Sequence, residues 1–132
     1  MSSKICEKDN LITPELILRI NHSLRSLGIK TGRTGYKVLI EAIKIAIINY
    51  DETNFTDIQV LPIYKEITVE LKINKTPKQV ERMIYYAITH RNNTTCNKNF
   101  EKVFGYSFDE EIFSNKEFIN EFVNMLKLNG YC

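Results

Sequence analysis

The sequence lacks any long uninterrupted apolar stretch, and no run approaches the roughly eighteen residues that a membrane-spanning helix requires. Its first ten residues, MSSKICEKDN, contain no apolar core segment of the kind found in secretory signals. The two absences argue against membrane insertion and against export. We therefore expect a cytoplasmic protein that has no membrane partner.

Cysteine and histidine are scarce and scattered. Cys6, Cys96 and Cys132 form no pair at metal-ligand spacing, and His22 and His90 lie far from them in sequence. A zinc site would need four ligands gathered from distant positions. We expect reduced thiols and no bound metal.

Signatures of catalysis are also missing. The sequence contains no glycine-rich phosphate loop and no Ser–His or Cys–His motif. The adjacent acids Asp109, Glu110 and Glu111 form a run of a type that is usually solvated, and GRTG (residues 32–35) is more typical of a turn between helices than of a phosphate cradle. We predict that the protein is not an enzyme and uses no cofactor.

Length and charge favour one nucleic-acid-binding domain. The 132 residues, of which 43% are hydrophobic, are enough for one domain with a core and too few for two of ordinary size. We expect a flexible tail over residues 1–10 and a single domain over residues 11–132. The net charge is only +2, but basic residues dominate from Arg19 to Lys44 and from Lys65 to Lys98, and acidic residues dominate from Glu101 onward. Such a domain would dock on a polyanion in one orientation.

Periodicity and capping signals predict an all-α fold of about six helices. Thr13 and Pro14 begin the first helix and Gly28 ends it. A second helix, from about Tyr36 to Tyr50, is apolar nearly all round, which predicts that it is the central helix. The inward stripe of the first helix is Leu16, Ile17, Ile20, Leu24 and Leu27.

The carboxyl-terminal third predicts two more helices. NFEKVFG forms a short helix that Gly105 closes, and SNKE at Ser114 is a capping box for a helix from Asn115 to about Leu128, which Gly130 ends. The predicted buried side chains of this last helix are Phe118, Ile119, Phe122, Met125 and Leu126.

Two helices separated by a short polar link predict a helix-turn-helix. The first covers Leu61–Ile73 and the second begins after Asn74 and Lys75. The inner face of the first helix is either Ile63, Ile67 and Leu71 or Tyr64, Ile67 and Val69. The predicted buried positions of the unit are Val69, Ile73, Val80 and Met83. Glu70 stands where a small residue usually lets the helices touch, which leaves the register open.

The second helix of the pair, TPKQVERMIYYAITHR, is amphipathic. Thr76 and Gln79 form a capping box around Pro77. The apolar stripe contains Val80, Ile84, Ala87 and Arg91, flanked by Met83 and Ile88. The opposite side carries Lys78, Gln79, Glu81, Arg82, Tyr85, Tyr86 and Thr89.

This polar face has the chemistry of a DNA-reading helix. Arginine can fork onto guanine, glutamine onto adenine, and lysine pairs with phosphate. The alternative is a face that is simply solvated, as most charged helix faces are. The candidate base-reading residues are Lys78, Gln79, Glu81, Arg82, Tyr85 and Tyr86. The candidate phosphate contacts are Arg33, Lys37, Lys75 and Arg91.

Four blocks, GIKTGRTGYKVLIEAI, TPKQVERMIYYAI, VFGYS and FSNKEFINEFVNMLKL, occur in the order in which the C-terminal DNA-binding domain of stage zero sporulation protein A has them. The chain resembles that domain from about Leu11 to Leu128. The resemblance implies a six-helix fold with a helix-turn-helix that binds a TGTCGAA-like element as tandem copies. It also implies a transcription factor of a sporulating bacterium, or of a phage or mobile element within one.

The reading helix departs from the family pattern TxSRVERAIRHAI on its polar face. Gln79 and Tyr85 replace arginines that the family carries, and Tyr86 replaces a histidine. The resemblance therefore implies a different target or a lower affinity. The residues that match are Thr76, Val80, Glu81, Arg82, Ile84, Ala87 and Ile88.

Two functions remain open. The first is a nucleoid-associated, sequence-specific regulator that binds double-stranded DNA, as a homodimer or as tandem copies. We expect it to lack the phosphorylated receiver domain, because only ten residues, most of them polar, precede the region of resemblance. The second is a module that antagonises the full-length regulator or RNA polymerase without reading DNA. In the family, the sigma subunit contacts the region that Phe104 and Tyr106 match, although an aromatic pair there is equally typical of a core.

Overall fold

The computed structural model describes residues 12–29, 32, 34–53, 59–89, 103 and 114–128, and these ranges contain five α-helices and no strand. The helices are α1 (Pro14–Ser26), α2 (Thr34–Thr53), α3 (Val60–Glu70), α4 (Pro77–Thr89) and α5 (Asn115–Leu128). The all-α prediction is confirmed. The predicted short helix that Gly105 closes lies outside the described residues except for Val103, which is helical and packs partly buried against the core. Gly130 also lies outside them.

Caps define α1 at both ends. The Thr13 hydroxyl caps its first turn. After its last turn, Gly28 has a φ of 84° and donates its N–H to Arg25 O, while Ile29 N–H donates to Leu24 O. These two bonds form a Schellman motif, whose left-handed position favours glycine. The predicted start and stop of α1 are therefore confirmed.

The central position predicted for the second helix is confirmed by α2, which packs against α3, α4 and α5. It is three residues longer than predicted at its carboxyl end. The helix-turn-helix pair α3 and α4 pack on each other, and α4 also packs on α5. The buried side chains of α2 are Tyr36, Val38, Leu39, Ala42, Ile43, Ile45, Ala46 and Ile47.

The first helix of the pair is shorter than predicted. It ends at Glu70, and the five residues Leu71–Lys75 precede the Thr76 cap in place of the predicted two. Lys72 has a φ of 52°, a left-handed conformation that cannot continue a helix. Three β-branched residues near this end, Thr68, Val69 and Ile73, also lower its helix propensity.

The predicted burial of Val69 is wrong. Its side chain is 71% exposed, whereas Ile63, Tyr64 and Ile67 are buried. Residues two apart point about 200° away from each other on a helix, so Val69 cannot share the face of Ile67. The inner face is therefore Ile63, Tyr64 and Ile67, with Leu71 partly buried beyond the helix end.

The last helix begins and packs as the sequence predicts. Ser114 N–H donates to Glu117 Oε1 at 3.3 Å, and Glu117 N–H donates to Ser114 Oγ at 3.2 Å, which completes the capping box. Phe118 and Phe122 stack with ring centroids 6.0 Å apart. The buried apolar residues of α5 are Phe118, Ile119, Phe122, Val123, Met125 and Leu126.

Candidate nucleic-acid interface

The start of α4 is fixed by the predicted capping box. Thr76 N–H donates to Gln79 Oε1 at 2.8 Å, and Gln79 N–H donates to Thr76 Oγ1 at 3.2 Å. Pro77 occupies the first helical position, where its missing N–H is not needed. The reciprocal pair defines the residue at which α4 begins.

One side of α4 is buried in the core. Val80, Ile84 and Ile88 have no exposed surface, and Met83 and Ala87 are partly buried. The predicted stripe is therefore present and is centred on the first three residues. Its fourth predicted member, Arg91, lies outside the described residues.

The opposite side of α4 faces solvent. Tyr85 is 41% and Tyr86 52% exposed, and their ring centroids lie 6.3 Å apart at an interplanar angle of 56°. Thr89 differs, since it is half-buried and its hydroxyl donates to Tyr85 O at 2.8 Å. The other exposed members of this face are Lys78, Gln79, Glu81 and Arg82. The six candidate base-reading residues therefore share one accessible surface.

Two of the four candidate phosphate-contacting residues, Lys37 and Lys75, are among the described residues. Lys75 is exposed immediately before the Thr76 cap, and Lys37 is exposed near the start of α2. Arg33 and Arg91 lie outside the described residues. Lys75 adds a positive charge at a helix N-terminus, where the backbone dipole already favours an anion.

A close approach between α2 and α4 occurs at Gly35. A Cβ atom there would lie 3.0 Å from Met83 O and 3.4 Å from Ala87 Cβ. Glu70, which stands where a small residue usually lets the two helices of a helix-turn-helix touch, is exposed at the end of α3. The small residue that lets a neighbouring helix approach α4 is therefore on α2, and the GRTG stretch carried the signal for it.

Asn115 joins three helices through buried hydrogen bonds. Its Nδ2 donates to Glu81 O at 2.8 Å and to the Tyr64 hydroxyl at 3.2 Å, so that α5 holds both α4 and α3. Burial raises the pKa of the Tyr64 phenol, the Asn115 hydrogen bond opposes this, and the Glu81 charge adds to it. Tyr64 therefore stays a neutral acceptor. Asn115 was not predicted, although a polar residue at helical spacing from Phe118 signals it.

We expect Asn115→Ala to lower the free energy of unfolding by about 1–3 kcal/mol, because the buried Tyr64 hydroxyl and Glu81 carbonyl lose a donor. Urea denaturation measures the change. Tyr64→Phe should lower the free energy of unfolding less in the Asn115→Ala background than in the natural chain, because the hydrogen bond between the two side chains is already absent there. Strictly additive losses of unfolding free energy in the double variant would contradict a hydrogen bond between Asn115 and Tyr64.

Other kinds of site find no support in the described ranges. No group of three histidine, cysteine or acidic side chains there could hold a metal ion. None of the helices described is both long and apolar enough to cross a bilayer. The polar face of α4 is accordingly the candidate site.

Comparison with known proteins agrees with this geometry. The family model of the sporulation initiation factor Spo0A C terminal matches residues 20–126, which include all of α2, α3 and α4. No curated protein and no solved structure gives a significant match. Because the family match covers most of the chain and includes both helices of the helix-turn-helix, this chain belongs to the family of Spo0A C-terminal domains, which are helical DNA-binding effector domains of a sporulation regulator.

Proposed function

We propose that the chain is a sequence-specific regulator of transcription that lays the polar face of α4 in the major groove of DNA. The observation that carries the proposal is the exposure of Lys78, Arg82 and Tyr85 on the side of α4 opposite Val80 and Ile84. An exposed helix of this kind, fixed on a core by its other side, can enter the groove as a rigid rod. We also propose that residues 11–132 act as one domain.

The residues of the face would divide into two roles. Lys78, Gln79, Arg82 and Tyr85 would contact base edges, and Glu81 would accept from a cytosine amino group or orient Arg82. Tyr86 would contact bases or sugars at the edge of the face. Phosphate contacts would come from Lys37 and Lys75, together with Arg33 and Arg91.

The two tyrosines change the balance of the interaction. Each offers one hydroxyl and a flat apolar ring, whereas an arginine offers five donors and a charge. Tyr85 therefore adds little electrostatic attraction and can pack against a thymine methyl group. We expect binding that depends less on salt than that of an arginine-rich face.

Selection of oligonucleotides from a random pool tests the proposal directly. We expect one enriched motif, and an affinity for it that falls linearly with the logarithm of salt concentration, with a slope of about −0.9 per phosphate contact. Shuffled DNA of the same composition is the control. A selected pool without any motif would reject sequence-specific reading.

A second function is supported by the exposed pair Tyr85 and Tyr86, because tyrosine is enriched in protein interfaces. Under this reading the face of α4 would bind the full-length regulator or RNA polymerase, including its sigma subunit, and antagonise it. Absence of DNA binding even in dilute salt would favour this function. Side-by-side binding of two copies of the chain on DNA is part of the first function, that of a DNA-binding regulator. Neither function requires catalysis.

A further inference from the structure

Asn115 is only half-satisfied in its buried position. The residue is 6% exposed, and Nδ2 donates to Glu81 O and to the Tyr64 hydroxyl. Its Oδ1 is buried and has no hydrogen-bond partner among the described residues. A buried amide that leaves an acceptor unpaired is often less stable than an apolar side chain of similar shape. Stability alone therefore does not explain an asparagine at this position.

The Nδ2 donor acts on the backbone of α4. Glu81 O lies inside the helix, where the helical pattern already supplies a donor from the residue four positions later. The bond from Asn115 is thus additional to the helical one. The carbonyl belongs to the residue directly before Arg82, which is exposed on the polar face. The contact therefore acts on α4 within one residue of a side chain that is proposed to read a base.

The apolar contacts of α4 restrict its position less closely. Val80, Ile84 and Ile88 are buried in the core, but apolar burial is non-directional, and cores lose uniqueness of packing before they lose stability. A hydrogen bond requires a defined distance and angle. The bond of 2.8 Å from Asn115 to Glu81 therefore limits sliding and rotation of α4 in a way that packing alone does not.

We infer that Asn115 is a positioning residue for DNA reading, which from α5 holds α4 at the depth and rotation at which Arg82 meets its base. The inference rests on the proposed function. A binding group must be held within about 0.5 Å of its productive geometry by the residues behind it. A small shift of α4 would therefore weaken the contact of Arg82 with DNA while the domain stays folded.

Replacing both polar side chains of the junction separates position from stability. Asn115→Leu combined with Tyr64→Phe keeps the branched shape of residue 115 and the ring of residue 64, so the urea midpoint should stay close to that of Tyr64→Phe alone. We expect affinity for the selected DNA site to fall by about 5- to 10-fold relative to Tyr64→Phe, as part of one base contact is lost. The base preference that Arg82→Ala removes should also relax. The salt slope should not change, because no charge is altered.

Tyr64→Phe is the matched control, because it removes one hydrogen bond of Asn115 and leaves the bond to Glu81 in place. It should bind DNA as the natural chain does. Asn115→Ala is the second variant: leucine fills the site and alanine leaves space, so an equal fall in affinity in both assigns the effect to the lost donor. Ile20→Val, a core change on α1, controls for lower stability, since it should lower the urea midpoint and leave affinity unchanged. Affinities are measured where circular dichroism shows each protein fully folded.

Each outcome bears on one of the two claims. If the natural chain selects a motif and both Asn115 variants bind it as tightly as their controls, the inference is overturned and the proposed function stands. A fall with leucine and none with alanine also overturns the inference, because steric displacement then explains it. Selection of no motif by the natural chain would overturn both claims. A fall in both variants, with relaxed preference at the base that Arg82 reads, supports the inference.

Discussion

Replacing Arg82 by alanine should weaken binding to the selected DNA site by about 10- to 100-fold, the range expected for loss of one forked contact to a guanine. Arg82 is exposed on the polar face of α4, one turn after Lys78. A helix lying in the groove would bring both side chains to base edges. Fluorescence anisotropy at fixed salt measures the change.

The salt dependence of Arg82→Ala distinguishes its two possible contacts. A base contact predicts relaxed preference at one position and little change in the salt slope, whereas a phosphate contact predicts a uniform loss and a slope lower by about 1. Lys127→Ala is the matched control, because it also removes one positive charge. Lys127 lies about 18 Å along α5 from Asn115, the residue whose side chain contacts α4. Equal affinities of Arg82→Ala and the natural chain would remove Arg82 from the interface.

Introducing valine at Gly35 should lower the free energy of unfolding by about 1–3 kcal/mol, the usual cost of overpacking. Its Cβ would meet the backbone oxygen of Met83 at 3.0 Å and Ala87 Cβ at 3.4 Å. A backbone atom cannot swing aside as a side-chain end can, so α4 itself would have to shift. We therefore expect a lower urea midpoint together with weaker DNA binding.

Gly32→Val is the matched control for Gly35→Val. A Cβ at Gly32 would meet nothing within 4 Å, and Gly32 lies only three residues away. The same change of residue type should therefore leave stability within about 0.5 kcal/mol of the natural chain, as is usual for open surface positions. Equal losses at the two glycines would show that the cost arises from the backbone of valine and not from contact with α4.

Local signals predicted α4 well, because its cap and its stripe depend on residues within one or two turns. Thr76, Pro77 and Gln79 fix the first turn, and the helical spacing of Val80, Ile84 and Ile88 fixes the buried side. The same holds for α1, where Gly28 marks the end. Exposure of the polar face then follows from the geometry of a single helix.

Contacts between residues that are far apart in sequence could not be predicted from such local patterns. Asn115 lies 51 residues from Tyr64 and 34 from Glu81 in sequence, and no periodicity links them. Gly35 likewise depends on which helix crosses α4. The error at Val69 had a different cause, since Val69 lies about 200° around the helix from Ile67 and helical spacing alone excludes it from the buried face.

The packing of three helices on α2 determines how the domain unfolds. Because α3, α4 and α5 all pack on this one helix, the polar face of α4 cannot detach without uncovering the middle of the molecule. Amide hydrogens in the buried part of α4 should then exchange with deuterated solvent at rates close to those of α2, as members of a single cooperative unit.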